Sequence, residues 1–219
     1  MTDLDSWLQA YQILVNGVFE GRVVFIGLQG SRARGEGTEY SDIDVVLILD
    51  QVTMDDLARY RDAVEQLPDR KLLCGFVSGS QELRCWSEPD LFQFAMDTRP
   101  LQGSLEGILP TITQESARQA ALLGACTLYH ACSHNFLHTR DVETLKSLYK
   151  SAFFTLQADQ YCRTGVYPGT RRDMEQAVAG QNRQVLEVIV QPSAINERTF
   201  DEYSGLLLGW ASWLIRVHG

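Results

Sequence analysis

Two aspartates separated by one apolar residue, Asp42 and Asp44, are the side chains in this sequence whose type and spacing could do chemistry. They begin an aliphatic run, residues 45–49, that predicts a strand, and on a strand residues i and i+2 point to the same face. Two carboxylates held this close repel each other unless a cation lies between them, and Mg²⁺ prefers such oxygen ligands. Because Mg²⁺ fills its remaining positions with water and substrate phosphate oxygens, the pair predicts chemistry on a nucleoside triphosphate.

A glycine-serine turn precedes the aspartate pair. The apolar residues 23–28 predict a buried strand, which ends at Gly30 and Ser31. Glycine lets the backbone and a ligand approach closely, and the backbone amides that follow could face an anion. Arg32 and Arg34 add positive charge to the same loop. The segment therefore predicts phosphate binding on one side and metal binding on the other, as phosphoryl and nucleotidyl transfer require.

This arrangement resembles the signature of the polymerase-β-like nucleotidyltransferase superfamily, a glycine-serine turn followed by Asp-x-Asp. The sequences Gly-Ser-Arg-Ala-Arg-Gly at 30–35 and Ser-Asp-Ile-Asp at 41–44 are especially similar to bacterial antibiotic nucleotidyltransferases, including the aminoglycoside adenylyltransferases. The resemblance implies metal-dependent transfer of a nucleoside monophosphate from a triphosphate to an acceptor hydroxyl, with pyrophosphate leaving. It also implies Mg²⁺, two ions when nucleotide is bound, and ATP is the default donor.

The resemblance assigns roles to individual residues. Asp42 and Asp44 are expected to bind the metal, and Gly30, Ser31 and Arg34 are expected to bind the nucleotide phosphates. The alternative interpretation makes Asp42 part of a turn or cap and Asp44 a solvated strand residue. The ordered combination of strand, turn, spacer and strand-borne pair favours the catalytic interpretation.

A third carboxylate is expected in this superfamily on a later strand, where it completes the metal site or accepts the proton of the acceptor. Asp90 is our prediction, because it begins the aromatic run 91–96, which we interpret as a strand. Glu82 and Asp97 are the rival candidates. All three acids also have ordinary interpretations as turn, loop or capping residues, and the sequence does not choose among them.

Two of the three lysines of the chain lie four residues apart, at Lys146 and Lys150, on a predicted helix. If they face the nucleotide, they could neutralise the triphosphate and stabilise departing pyrophosphate. Alternatively, they lie on a solvated helix edge where Lys146 forms a weak surface pair with Glu143. Both interpretations stay open at this point.

Periodicity predicts an α+β protein with two domains. Residues 1–105 are expected to form a nucleotidyltransferase domain, in which helices back a small mixed sheet. Its predicted helices are 4–19 and 54–67, and its predicted strands are 23–28, the strand that Asp42 begins, 71–77 and 91–96. A connection with proline and glycine follows at 99–107. Residues 106–219 are expected to form an all-α bundle that closes the nucleotide and acceptor cleft, with helices at 114–129, 142–161, 170–178, 181–190 and 201–217.

The net charge of the chain indicates which class of partner it could bind. The chain of 219 residues has a net charge of −9, and residues 1–105 contain nine basic and 17 acidic side chains. An acidic surface is unsuited to long nucleic acids, whose phosphates require basic contacts. It is suited to a small cationic acceptor, although acidity also serves solubility alone.

The apolar runs, the first residues and the cysteines indicate the cellular compartment of the protein. No apolar run approaches the ~20 residues that a membrane-spanning helix needs, and residues 1–5 are acidic where a signal peptide is basic. The five cysteines include no C-x-x-C pair. These features predict a cytoplasmic protein with reduced thiols and no membrane partner.

The acceptor admits a second hypothesis. Minimal members of the superfamily act as antitoxin-like or regulatory enzymes that modify a protein side chain. Those chains are commonly short, whereas this one has about half of its length in the predicted helical domain. A small hydroxylated acceptor, such as an aminoglycoside-like antibiotic, is therefore the favoured prediction. No feature of the sequence indicates an oligomeric state.

Overall fold

The computed structural model describes residues 3–219. These residues form two compact units, each with more contacts within itself than with the other. The first unit contains the described residues up to Ser87 together with Asp97–Thr111, and the second contains Glu88–Met96 and Ile112–Gly219. This division differs from the expected domains 1–105 and 106–219 mainly in one segment. Residues 88–96, expected in the first domain, are part of the second unit.

A four-stranded mixed sheet is the centre of the first unit. Its strands are β1 (Val23–Gln29), β2 (Ile43–Leu49), β3 (Leu73–Gly79) and β4 (Arg99–Gln102). Their order is β3-β2-β1-β4, with β1 antiparallel to β2 and β4, and β2 parallel to β3. The helices of this unit are α1 (Leu4–Val18), α2 (Gly30–Ala33), α3 (Met54–Val64) and α4 (Ser80–Arg84), and a 3₁₀ turn forms at Arg70–Leu72.

One face of this sheet is covered by α1 and α3. Side chains of α1, including Trp7 and Tyr11, are buried against alternate residues of β2, including Val45 and Leu47. The Thr53 capping box fixes the start of α3. Since successive strand residues point to opposite faces, Asp44 projects from the other face of β2. The packing of α1 and α3 thereby determines the face that carries this carboxylate.

The run 91–96 is not a strand, so this prediction is wrong. It lies in helix α5 (Glu88–Asp97), which has a proline in its first turn and buries Leu91, Phe92 and Phe94. Proline fits the first turn of a helix because the backbone N–H groups of that turn have no partner within the helix, so the N–H that proline lacks is not needed. The fourth strand is β4, within the predicted connection 99–107. It lies at the edge of the sheet, where Pro100 removes no hydrogen bond to a further strand.

The second unit is all helical, as predicted. Besides α5 it contains α6 (Gln114–His134), α7 (Val142–Thr164), α8 (Arg171–Ala177), α9 (Gly180–Val190) and α10 (Phe200–His218), with a π-helical turn at Asn135–Thr139 and a 3₁₀ turn at Pro192–Ala194. Its core combines apolar side chains of α6, α7, α9 and α10. The two units together confirm the predicted α+β class. Within residues 3–219, no helix combines the length and apolar character needed to cross a membrane.

A buried polar network connects three helices of the second unit. Asp159 of α7 is fully buried and accepts a hydrogen bond from the Asn182 amide at 2.7 Å. The His218 Nε2 atom lies 2.7 Å from the same carboxylate, and Arg163 forms an ion pair with it. Asn182 in turn accepts a hydrogen bond from the indole of Trp210. Burying this carboxylate is tolerable because both of its oxygens have partners.

Candidate active site

The aspartate pair lies at the start of β2. Asp42 immediately precedes the strand and is exposed, whereas Asp44 is its second residue and is half-buried. In the ladder, Asp44 is opposite Gln29 of β1 and Cys74 of β3, so neighbouring strands flank it on both sides. The predicted i and i+2 arrangement is present, and the two carboxylates interact electrostatically.

The environment of Asp44 disfavours its negative charge. Burial raises its pKa, the charges of Asp42 and Asp97 raise it further, and the Cys74 thiol and Arg34 oppose the rise without cancelling it. A cation among these oxygens would offset both the desolvation and the repulsion. The donor set is made of carboxylate oxygens, the ligands that Mg²⁺ prefers. The residues present therefore fit a hard divalent cation.

The turn after β1 brings the backbone against the aspartate pair. Gly30 has a φ of +70°, which favours glycine, and a Cβ atom at this position would lie 2.1 Å from an Asp44 carboxylate oxygen. Glycine is thus required both by backbone conformation and by the close approach of Asp44. The Gly30 amide donates a hydrogen bond to Asp97 Oδ2 at 3.2 Å. Ser31 follows in α2 and is partly exposed.

Asp97 is the third carboxylate that the first unit brings to the aspartate pair. Its side chain is 11% exposed, and its Oδ1 accepts a hydrogen bond from Arg34 Nη1 at 2.6 Å. Together with the Gly30 amide, this contact gives each Asp97 oxygen a donor. Sequence reasoning named Asp97 only as a rival. The signal that could have identified it is its position just before Arg99–Gln102, the short strand beside β1.

The other two candidates belong to helices. Asp90 is in the first turn of α5, in the second unit, so the strand on which its choice rested does not exist. Glu82 is in α4, which follows β3. Because β3 runs parallel to β2 and its end at Gly79 is opposite Leu49, Glu82 follows the end of the sheet remote from Asp44, about 16 Å along the strands.

The two arginines of the loop bind protein groups. Arg34 forms ion pairs with Asp97 and, at 3.3 Å, with Glu36. Burial acts to lower the pKa of Arg34, but these carboxylates outweigh that effect and raise it. Arg32 is buried and donates hydrogen bonds to the backbone carbonyls of Ser41 and Asp42, at 2.8 and 3.1 Å. Arg32 thus fixes the backbone that enters β2, a role that the sequence did not reveal.

Lys146 and Lys150, the two lysines that the sequence analysis considered for phosphate binding, lie on α7 in the second unit. Lys146 forms an ion pair with Glu143 at 2.7 Å, the surface pair that the sequence also allowed. Lys150 is exposed. Phosphate binding by either lysine stays a prediction.

Among residues 3–219, no three His, Cys, Asp or Glu side chains are already arranged to hold a metal ion. Mg²⁺ sites commonly consist of one or two carboxylates, with substrate phosphates and water as the other ligands. The pair formed by Asp42 and Asp44 corresponds to the protein part of such a site.

Comparison with known proteins agrees with this geometry. Residues 17–79 match the family model described as nucleotidyltransferase domain. The crystal structure of spectinomycin adenyltransferase AAD(9) from Enterococcus faecialis, with ATP and spectinomycin, is similar with a TM-score of 0.59 and 12% identity, covering 98% of this chain and 100% of that chain. A nucleotidyltransferase-like protein from Exiguobacterium sibiricum 255-15 has a TM-score of 0.37 and 12% identity, covering 97% of this chain and 75% of that chain. No curated protein matches the sequence.

The matched segment spans β1, the glycine-serine turn, the aspartate pair and β3. The likeness to the adenyltransferase extends over nearly the whole chain and concerns the fold. Residues 17–79 therefore form a nucleotidyltransferase domain, and the fold of the chain is similar to that of spectinomycin adenyltransferase AAD(9).

Proposed function

We propose that the protein transfers AMP from ATP to a hydroxyl group of a small acceptor molecule and releases pyrophosphate. The observation that carries the proposal is the meeting of Asp42, Asp44 and Asp97 at the Gly30 turn, where their charges are coupled. ATP is supported by the similar fold of an adenyltransferase whose structure contains ATP. The reaction class follows from the nucleotidyltransferase domain.

Asp42 and Asp44 are the residues that would hold Mg²⁺, with two ions expected when nucleotide is bound. Bound Mg²⁺ would neutralise developing charge on the transferred phosphoryl group and orient the triphosphate. Gly30 and Ser31, in the turn beside these metal ligands, are proposed to bind the phosphate oxygens. In this proposal Asp97, and not the predicted Asp90, is the third carboxylate of the site.

Arg34 supports Asp97 in this proposal. Its guanidinium holds Asp97 Oδ1 at 2.6 Å while the Gly30 amide holds Oδ2, so the carboxylate has a defined orientation beside Asp44. An oriented carboxylate can complete the metal site or receive the proton of the acceptor hydroxyl, provided the hydroxyl comes within hydrogen-bond distance. Phosphate binding by Arg34, Lys146 and Lys150 stays a prediction, and for Arg34 and Lys146 it would require exchange of their present partners, Asp97 and Glu143.

The acceptor is proposed to be a small cationic molecule of the aminoglycoside or aminocyclitol type. The acidic excess in residues 1–105 supports a cation. The similar fold of a spectinomycin adenyltransferase, whose structure contains spectinomycin, supports a hydroxylated antibiotic. We do not propose a long nucleic acid as the acceptor, because its binding would require a basic surface.

Pyrophosphate release tests the proposal. Each of the four ribonucleoside triphosphates is incubated with Mg²⁺ and a panel of aminoglycosides, spectinomycin and lincosamides, and the acceptor mass is recorded. We expect ATP and one acceptor class to support release, with the acceptor gaining an adenylyl group. Asp42→Asn/Asp44→Asn should abolish release, whereas Asp62→Asn, which removes an exposed acid of α3, should not.

The panel also separates the two acceptor classes. With radiolabelled ATP, label on a small molecule supports the proposal. Label on a protein band, with no acceptor in the panel stimulating release, would refute it in favour of a protein-modifying enzyme. Release that persists in the double variant would show that the aspartate pair is not the metal site.

A further inference from the structure

An exposed thiol lies beside the aspartate pair. Cys74 is the second residue of β3 and is exposed, and it is opposite Asp44 in the parallel pairing of β2 with β3. Paired strands lie about 4.8 Å apart, and residues in register point to the same face. The thiol and the carboxylate therefore project side by side from the sheet face that α1 and α3 leave uncovered.

The two groups interact. The Cys74 thiol, in register with Asp44 on the neighbouring strand, acts to lower the pKa of the Asp44 carboxylate, whereas the negative charges of Asp42 and Asp97 raise it. A thiol is a neutral donor at neutral pH, since its ordinary pKa is about 8.5. It can therefore orient the carboxylate without adding charge. Groups that orient metal ligands in this way commonly change metal affinity about 10- to 100-fold.

Cys74 is also the side chain that β3 places next to Asp44 at this end of the sheet. On the β1 side, the turn supplies the close approach of Gly30 to Asp44, and its amide is used by Asp97. On the β3 side, the neighbour in register is the Cys74 side chain. Asp44 thus has the Gly30 backbone on one side and the Cys74 side chain on the other.

We propose that Cys74 is a positioning residue, whose S–H group holds the Asp44 carboxylate in the rotamer that binds the divalent cation. This inference rests on the proposed metal-dependent function. It assigns the thiol no role in bond making or breaking, and it predicts that a hydroxyl at position 74 can replace it. An apolar side chain of similar size cannot.

Matched substitutions test this role. Cys74→Ser keeps a donor, and Cys74→Val is larger by about one methyl group and suits a strand but removes the donor. Mn²⁺ binding without nucleotide, measured by electron paramagnetic resonance, is the readout that does not require turnover. We expect Cys74→Val to weaken Mn²⁺ binding about 10-fold or more and Cys74→Ser to stay close to wild type. Cys85→Val, at the exposed cysteine after α4, is the control and should not change binding.

Steady-state kinetics should rank the Cys74 variants in the same order as Mn²⁺ binding does. Cys74→Val should raise the Mg²⁺ concentration needed for half-maximal rate and lower kcat, with little change in the KM of the acceptor, while Cys74→Ser restores both. Unchanged Mn²⁺ binding in Cys74→Val would overturn the proposal. Equal losses in the serine and valine variants would overturn it as well, because the donor would then not matter.

A double-mutant cycle of thermal stability, measured in the presence of a metal chelator, separates this inference from the proposed function. The variants Cys74→Val, Asp44→Asn and their combination are unfolded thermally without metal. We expect Tm changes that do not add, because the two side chains contact each other. Additive changes would refute the contact itself. If the changes are coupled but the wild type binds no Mn²⁺, the metal-dependent function and the positioning role both fail, while the contact stands.

Discussion

Substituting alanine for Gly30 should impair catalysis far more than folding. The added Cβ atom would lie 2.1 Å from Asp44 Oδ2, so the carboxylate must move by about 1.3 Å to reach an ordinary contact of 3.4 Å. A displacement of about 1 Å at a reacting group can reduce the rate about 10²-fold. The φ of +70° adds a backbone cost of about 1–2 kcal/mol for a residue with a Cβ atom. For a chain of this length, that lowers the Tm by about 2–8 °C.

Gly35 provides a matched control. It lies in the same loop with a φ of +74°, but a Cβ atom there would meet nothing within 4 Å. Gly35→Ala should lower the Tm by a similar amount and keep the wild-type rate of acceptor-dependent pyrophosphate release. A rate near wild type in Gly30→Ala, or an equal loss of activity in Gly35→Ala, would show that catalysis does not depend on the position of the Asp44 carboxylate.

Three further outcomes are expected. Asp97→Asn should lower kcat/KM by about 10² or more while Asp90→Asn leaves it near wild type; equal losses in steady-state kinetics would contradict the choice of Asp97. In chelator, Asp44→Asn should raise the Tm at pH 7, because a raised carboxylate pKa means that the native state is penalised once Asp44 ionises. The gain should shrink towards pH 4 as Asp44 gains its proton, and a difference independent of pH would exclude this cause. Asp159→Ala should destabilise the protein by about 3–5 kcal/mol in urea, followed by tryptophan fluorescence, because it leaves buried partners unpaired. Lys146→Ala, which breaks an exposed pair, should cost less than about 1 kcal/mol.

The loop at Arg32 shows what sequence patterns leave out. The sequence marked Arg32 only as positive charge near a glycine-serine turn. In the structure its guanidinium reaches over the loop to the carbonyls of Ser41 and Asp42, which supports the backbone entering β2. Such a contact depends on the path of nine intervening residues, and no periodicity encodes that path.

Local patterns were sufficient for the elements that hold the aspartate pair. Strands of alternating or continuous apolar residues, the proline and capping signals of helices, and the helical spacing of the second half predicted the α+β class and the second unit. The glycine-serine turn and Asp42 with Asp44 were readable because each requirement, a positive φ and an i and i+2 spacing, is local.

Local patterns failed at residues 88–102, and the third carboxylate depended on them. The run 91–96 is apolar enough for either a strand or a helix, and it becomes a helix because it packs into the second unit. The edge strand β4 contains Pro100, which weakens its signal as a strand.

By itself, the sequence therefore determined the fold class, the glycine-serine turn and the aspartate pair. Only the tertiary structure showed that Asp97 lies at the Gly30 turn beside this pair, and that Cys74 is the neighbour of Asp44 on β3. The physical reason is that these contacts join residues far apart in sequence. Strand order, register and the packing of whole units set such contacts, and the spacing of residues along the chain does not.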